Sequence, residues 1–227
     1  MPGPTERAPF ASGTLVHTRE GLRPIESLAV GDWVLSRSEA TGEDSHRQVI
    51  AVAGPLDRPA YRLSCYPVES EGGGEQILVV SADPAFHVTG AIDADPDFPP
   101  PTGWIDASQL FNSQVVEQRD GERARISSAD PIWRTRTDGV GWIDLDRWSD
   151  TGSRIDFRSG TPVETPAPGV VADFTLEDGF PDRYNDAGIA EEWAYLCPMH
   201  GLQVEDFGTF FVGESGFLVR DGHGETA

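Results

Sequence analysis

Between residues 10 and 36 the chain runs in short apolar stretches broken by glycine at positions 13, 21 and 31. Residues 14–18 alternate apolar and polar, Glu20 and Gly21 read as a turn, and Gly31-Asp32 precedes a strand that begins at Trp33. Stretches this short cannot sustain an amphipathic helix, so the opening demands strands joined by tight turns. The same grammar recurs at 48–53, 60–65 and 76–81, with the acidic, glycine-rich 69–75 as a flexible hairpin tip. Eighteen prolines and 25 glycines in 227 residues supply the turns such a chain needs. The expected class is all-β, with short, mostly antiparallel strands.

The pattern divides the chain. Residues 1–8 form a polar, Pro/Gly-rich lead-in, and 9–111 carry the regular strand grammar. Residues 112–201 are less regular and read as an insertion or elaboration, either part of the same domain or a subdomain. Strands return over 202–221, and 222–227 form a tail. Within the irregular part, 186–196 predicts a helix: Asp186 supplies an N-cap, Ile189, Trp193 and Leu196 share a face, and Pro198 stops it. Two roles compete for Trp133, Trp142, Trp148, Tyr184, Trp193 and Tyr195 in this segment. They pad an enlarged core, or they form a protein-binding surface of the aromatic kind that interfaces favour.

A net charge of −21, with all 17 basic residues arginine, opposes binding to nucleic acid or to anionic membrane surfaces. It suits a basic protein partner. No apolar run reaches the ~20 residues that span a bilayer, and residues 1–8 lack the basic and apolar regions of a signal peptide. The expectation is a cytoplasmic protein, or one exported as cargo of a secretion system. Cys65 and Cys197 read as free, buried thiols. A metal site built from them and His200, read here as exposed, lacks a fourth ligand, so neither metal nor cofactor is expected.

Four blocks, taken in order, resemble the Hint (hedgehog/intein) domain family, most closely the pretoxin type of bacterial polymorphic toxins. The first runs from Phe10 through Gly13-Thr14 and Pro24-Ile25-Glu26 to Val30-Gly31-Asp32 and Val34. The second is 81–88, Ser-Ala-Asp-Pro-Ala-Phe-His-Val. The third contains Gly103-Trp104, Ala107 and Leu110. The last runs from Val204 to Asp221. The resemblance implies a horseshoe of strands that brings its two ends together. It also implies self-cleavage of the backbone, in which a thiol or hydroxyl attacks the preceding carbonyl, a histidine polarises the scissile amide, and a terminal His-Asn pair cuts the far junction.

Carried over residue by residue, those positions hold other chemistry. The nucleophile position, one before Phe10, is Pro9. The threonine position is Ser81, which keeps a hydroxyl, and the histidine position is Pro84. The closing-block histidine aligns with Gly208 and the terminal pair with Arg220-Asp221. A shifted register that recruits Ser12 and His87 is opposed by the matched residues on either side, because a strand slips only by exchanging its two faces. The reading is therefore a Hint-like module without catalytic residues, which acts by binding a protein such as a basic toxin, a secreted effector or a delivery component. Two other readings remain open here: self-processing by a divergent or partner-completed mechanism, and a structural connector in a secreted particle.

Overall fold

Inter-strand pairing organises most of the described residues. The computed structural model describes residues 8–69, 74–144, 151–168, 184–185, 188–189 and 193–220. The first half contributes β1 (Phe10–Ala11), β2 (Leu15–Thr18), β3 (Gly21–Pro24), β4 (Trp33–Arg37), β5 (Asp44–Pro59), β6 (Tyr61–Pro67), β7 (Gln76–Val80), β8 (Ala85–Ala91) and β9 (Gly103–Asp106). Then follow β10 (Gln114–Glu117), β11 (Arg123–Pro131), β12 (Trp133–Arg134), β13 (Val140–Asp144), β14 (Thr151–Asp156) and β15 (Val163–Pro168). A small hairpin, β16 (Tyr184–Asn185) and β17 (Gly188–Ile189), precedes β18 (Leu196–Val204), β19 (Thr209–Val212) and β20 (Phe217–Arg220).

Fourteen of these strands form one sheet in the order β10-β11-β6-β7-β1-β18-β5-β4-β2-β19-β20-β8-β9, with β3 added on β2. Because β10 also pairs with β8, the path closes on itself and leaves few free edges. The late strands are threaded among the early ones. β18 lies between β1 and β5, and β19–β20 between β2 and β8. The core follows the same joinery. Phe10 meets Phe210 edge-on at 5.7 Å between ring centres, and Phe86 meets Phe217 at 6.4 Å. All four rings are essentially sealed from water, and each such ring stabilises the fold by about 1.5–3 kcal/mol relative to exposure.

The elaboration at 112–201 is shared between two sheets. β10 and β11 join the main sheet through β8 and β6, and β18 joins it through β1 and β5. A separate four-stranded sheet, β12-β13-β14-β15, packs Ile143 and Ile155 onto Ala11, Ala60, Val79 and Met199 of the main sheet. Arg62, only 4% exposed, fastens the two by donating to Glu164 of β15 and to Glu75 beside β7, each at 2.7 Å.

There is no α-helix among the described residues, and the expected helix over 186–196 is not formed at 188–189 or 193–196; positions 186, 187 and 190–192 lie outside the described residues. Gly188–Ile189 pair with Tyr184–Asn185, Ala194 bridges Trp133, and Leu196 opens β18. Cross-chain hydrogen bonds decide the matter. The Tyr195 N–H donates to Ile132 O at 2.8 Å, and the Arg134 N–H to Trp193 O at 2.9 Å. Tertiary pairing overrides a modest local helical preference.

Where β5 crosses β18 the backbones come too close for any side chain. A Cβ on Gly54, whose φ is +94°, would lie 2.2 Å from the Met199 carbonyl oxygen. Gly54→Ala is therefore expected to lose roughly 1–3 kcal/mol in a denaturant titration. Gly90→Ala, whose added methyl meets nothing within 4 Å, should leave the midpoint nearly unchanged.

Candidate functional site

β1 is only two residues long, yet it is held on both sides: Phe10 is in register with His200 of β18 and with Val80 of β7. Just before it, Pro9 is buried and its carbonyl accepts the Ser81 N–H at 2.8 Å. Just after it, the chain turns at Ser12-Gly13, with the Ser12 N–H on Pro198 O at 3.3 Å and the Thr14 N–H on Ala11 O at 3.1 Å. Gly13 has φ +84°, and a Cβ there would stand 3.1 Å from Gly160 O in the β14–β15 loop. The turn thus needs glycine both for its backbone angle and for its roof.

That turn carries the described hydroxyl–imidazole contact. Ser12 Oγ lies 2.9 Å from His200 Nε2, across 188 residues of sequence. Burial lowers the His200 pKa below the ordinary histidine value, against a smaller raising pull from the Glu26 carboxylate. The shift favours the uncharged ring, whose Nε2 accepts the serine proton in the tautomer that carries its hydrogen on Nδ1. Glu26 also accepts the Gly13 N–H at 2.9 Å, so the turn, the carboxylate and the imidazole form one group.

Ser12, though not His200, is among the residues lining a cleft of about 320 Å³. One wall is β7, with Ile77 and Leu78; another is the second sheet, with Ile155 and Pro162; Gly213 and Phe217 of the closing strands form a third. Ile77 is 41% exposed there, an unusual state for a branched aliphatic residue in a central strand. Behind Gly213 sits His17, 7% exposed. Its Nε2 donates to Gly213 O at 2.9 Å, and its Nδ1 accepts from Arg119 at 3.2 Å.

No family model matches the chain, and no curated protein matches it in sequence. Solved structures match it in shape. The bacterial intein-like domain from Clostridium thermocellum superposes with a TM-score of 0.53 at 16% identity, covering 95% of this chain and 99% of that one. The fold is intein-like. A mutant of the Ssp DnaB mini-intein superposes with a TM-score of 0.50 at 11% identity, covering 95% of this chain and 92% of the other.

In this intein-like frame the positions singled out from the sequence take plain structural work. Pro9 carries no nucleophile, and its carbonyl is tied to Ser81. Ser81 is 3% exposed, and its hydroxyl accepts the Asp83 N–H at 3.4 Å in a local turn. Pro84 is buried and accepts the Ala107 N–H at 2.9 Å. Gly208 turns the chain from β18 into β19 with φ +62°. Arg220 is paired with Glu39 and lies 4.8 Å from the Trp104 ring centre. Asp221 lies outside the described residues. His87, the imidazole that the opposed register shift would have recruited, contacts Glu117 at 2.6 Å and packs beside Trp104.

The aromatic residues divide as well. Trp133 and Trp142 are 3% and 1% exposed and belong to the core. Trp193 packs against that core, and Tyr195 stacks on Phe157 at 4.6 Å. Trp148 and the side chain of Tyr184 lie outside the described residues. Both cysteines are free and buried, and burial raises both thiol pKa values, that of Cys197 to about 12. No group of three or more His, Cys, Asp or Glu able to hold a metal occurs among the described residues. In the sequence His200 figured only as a ligand of an incomplete metal site and read as exposed; its contact with Ser12 arises from the pairing of β18 with β1.

The buried His17 makes stability depend on pH. Burial holds its pKa below 6.5, against the raising effect of the Gly213 carbonyl. Its folded form therefore binds fewer protons than its unfolded form as pH falls through 6.5, and stability drops in that window. Thermal midpoints should be level above pH 7 and decline below 6.5. In His17→Gln the decline should be shallower, and an equally steep decline would remove His17 as its source.

Proposed function

We propose that this chain is a Hint-fold module of the pretoxin type that has lost self-cleavage at the family position and works by recognising another protein. The observation that carries the reading is Pro9. The residue in the nucleophile position has neither thiol nor hydroxyl, and the peptide around it is locked by the Ser81 hydrogen bond. Covalent cleavage there has no group with which to begin. Pro84 likewise offers no proton to a leaving amine, and general acid–base catalysis is typically worth ~10²–10⁴-fold.

The partner, in this reading, is a basic toxin, effector or delivery component, met in the cytoplasm or during joint export. A net charge of −21 supports it, since opposite charge speeds encounter and selects the partner. The recognition surface then lies where the second sheet meets the main one, with Trp193 and Tyr195 as its aromatic candidates. Trp133 and Trp142 serve it from within, by holding β12 and β13 in place.

The test is intact mass after incubation with hydroxylamine, which captures any ester or thioester formed in the backbone. The purified chain should remain at 24.6 kDa. Loss of residues 1–8 would contradict the proposal, because it would place active chemistry at the Ala8–Pro9 junction.

A further inference from the structure

The Ser12–His200 pair is used neither by the family positions nor by protein recognition. Its hydroxyl is 2.9 Å from the His200 ring nitrogen, and Ser12, with His200 behind it, lines a cleft whose β7 wall exposes Ile77. We propose that Ser12 is an acyl-accepting nucleophile, with His200 as its base, for carboxylic esters whose short or medium acyl chain lies in this cleft.

The geometry supplies each part. The turn that carries Ser12 is fixed at three places: its own N–H on Pro198 O, the Gly13 N–H on Glu26, and the Thr14 N–H on Ala11 O. A hydroxyl held this way spends little freedom on reaching the reactive geometry. His200 sits in β18 between β1 and β5, so its ring is positioned by a central strand rather than a loop. Ile77 and Leu78, backed by the buried Ile155 and Phe217, give the acyl chain one apolar wall; Glu75 and Glu164, both held by Arg62, and Glu214 also line the cleft. A volume of about 320 Å³ stands at the small end of the roughly 300–1,000 Å³ usual for small-molecule sites, which limits that chain to modest length. Esters fit better than amides, because an alkoxide or phenolate leaves with less help from an acid than an amine needs.

The reaction balances without a cofactor. The Ser12 proton passes to His200 Nε2 as Oγ bonds to the acyl carbon. The ester C–O bond breaks, and the departing alcohol takes that proton back from His200. Water, deprotonated in its turn by His200, then releases the acid and restores the serine.

The experiment uses p-nitrophenyl butyrate with the full chain. A burst of p-nitrophenolate close to one per protein is expected, and peptide mass mapping should place a butyryl group on the Ser12 peptide. Ser12→Ala should abolish the label and Ser12→Cys should retain it. His200→Gln should slow acylation by ~10²–10⁴-fold. Labelling that persists in Ser12→Ala, or wild-type labelling no faster than that of the heat-denatured chain, overturns the assignment. So does hydroxylamine release of residues 1–11 without added ester, since the hydroxyl would then be spent on its own Ala11 carbonyl. That product differs in mass from the loss of residues 1–8, so failure here is distinguishable from failure of the recognition proposal.

Discussion

One strand holds the molecule together. β18 enters between β1 and β5, more than a hundred residues from either in sequence, and supplies hydrogen bonds to both. Without it the short β1 would retain a single neighbour, and the turn at Ser12 would lose its anchor on Pro198. Such long-range pairing is costly in chain entropy and is repaid only when the whole circuit closes. The dense phenylalanine packing of Phe10 on Phe210 is part of that repayment.

The same closure explains how an intein-like frame holds together with proline, glycine and arginine at the positions singled out from the sequence. Each of these positions that lies among the described residues has a structural duty that its present residue performs. Pro9 presents a carbonyl to Ser81, Pro84 one to Ala107, and Gly208 makes a left-handed turn. Arg220 pairs with Glu39 across the surface. None of these duties needs a thiol, an imidazole or a carboxamide. The frame then offers a reactive-looking pair at another place, where β18 passes the first turn.

The strand class was legible because glycine marks turns by conformation. Gly13, Gly21 and Gly31 all adopt positive φ, as their spacing between apolar runs implied. The closing block was legible for the same reason, through Gly208, Gly213 and Gly216. The segment at 186–196 misled, because its helical spacing of Ile189, Trp193 and Leu196 is a local preference, while the hydrogen bonds that decide it come from Ile132 and Trp133. The Ser12–His200 contact was invisible in the sequence. Nothing near either residue encodes the register of β18 on β1, which is fixed by the bulged pairing with β5 about Gly54.

The central claim is that the first strand is clamped between β7 and β18, and amide hydrogen exchange tests it most directly. Peptides covering Phe10, Ala11 and Ser12 should exchange as slowly as those of β6 and β19, since their N–H groups open only with the sheet. Exchange at the rate of an exposed terminus would show that β1 is not held, and the arrangement built around it would fall.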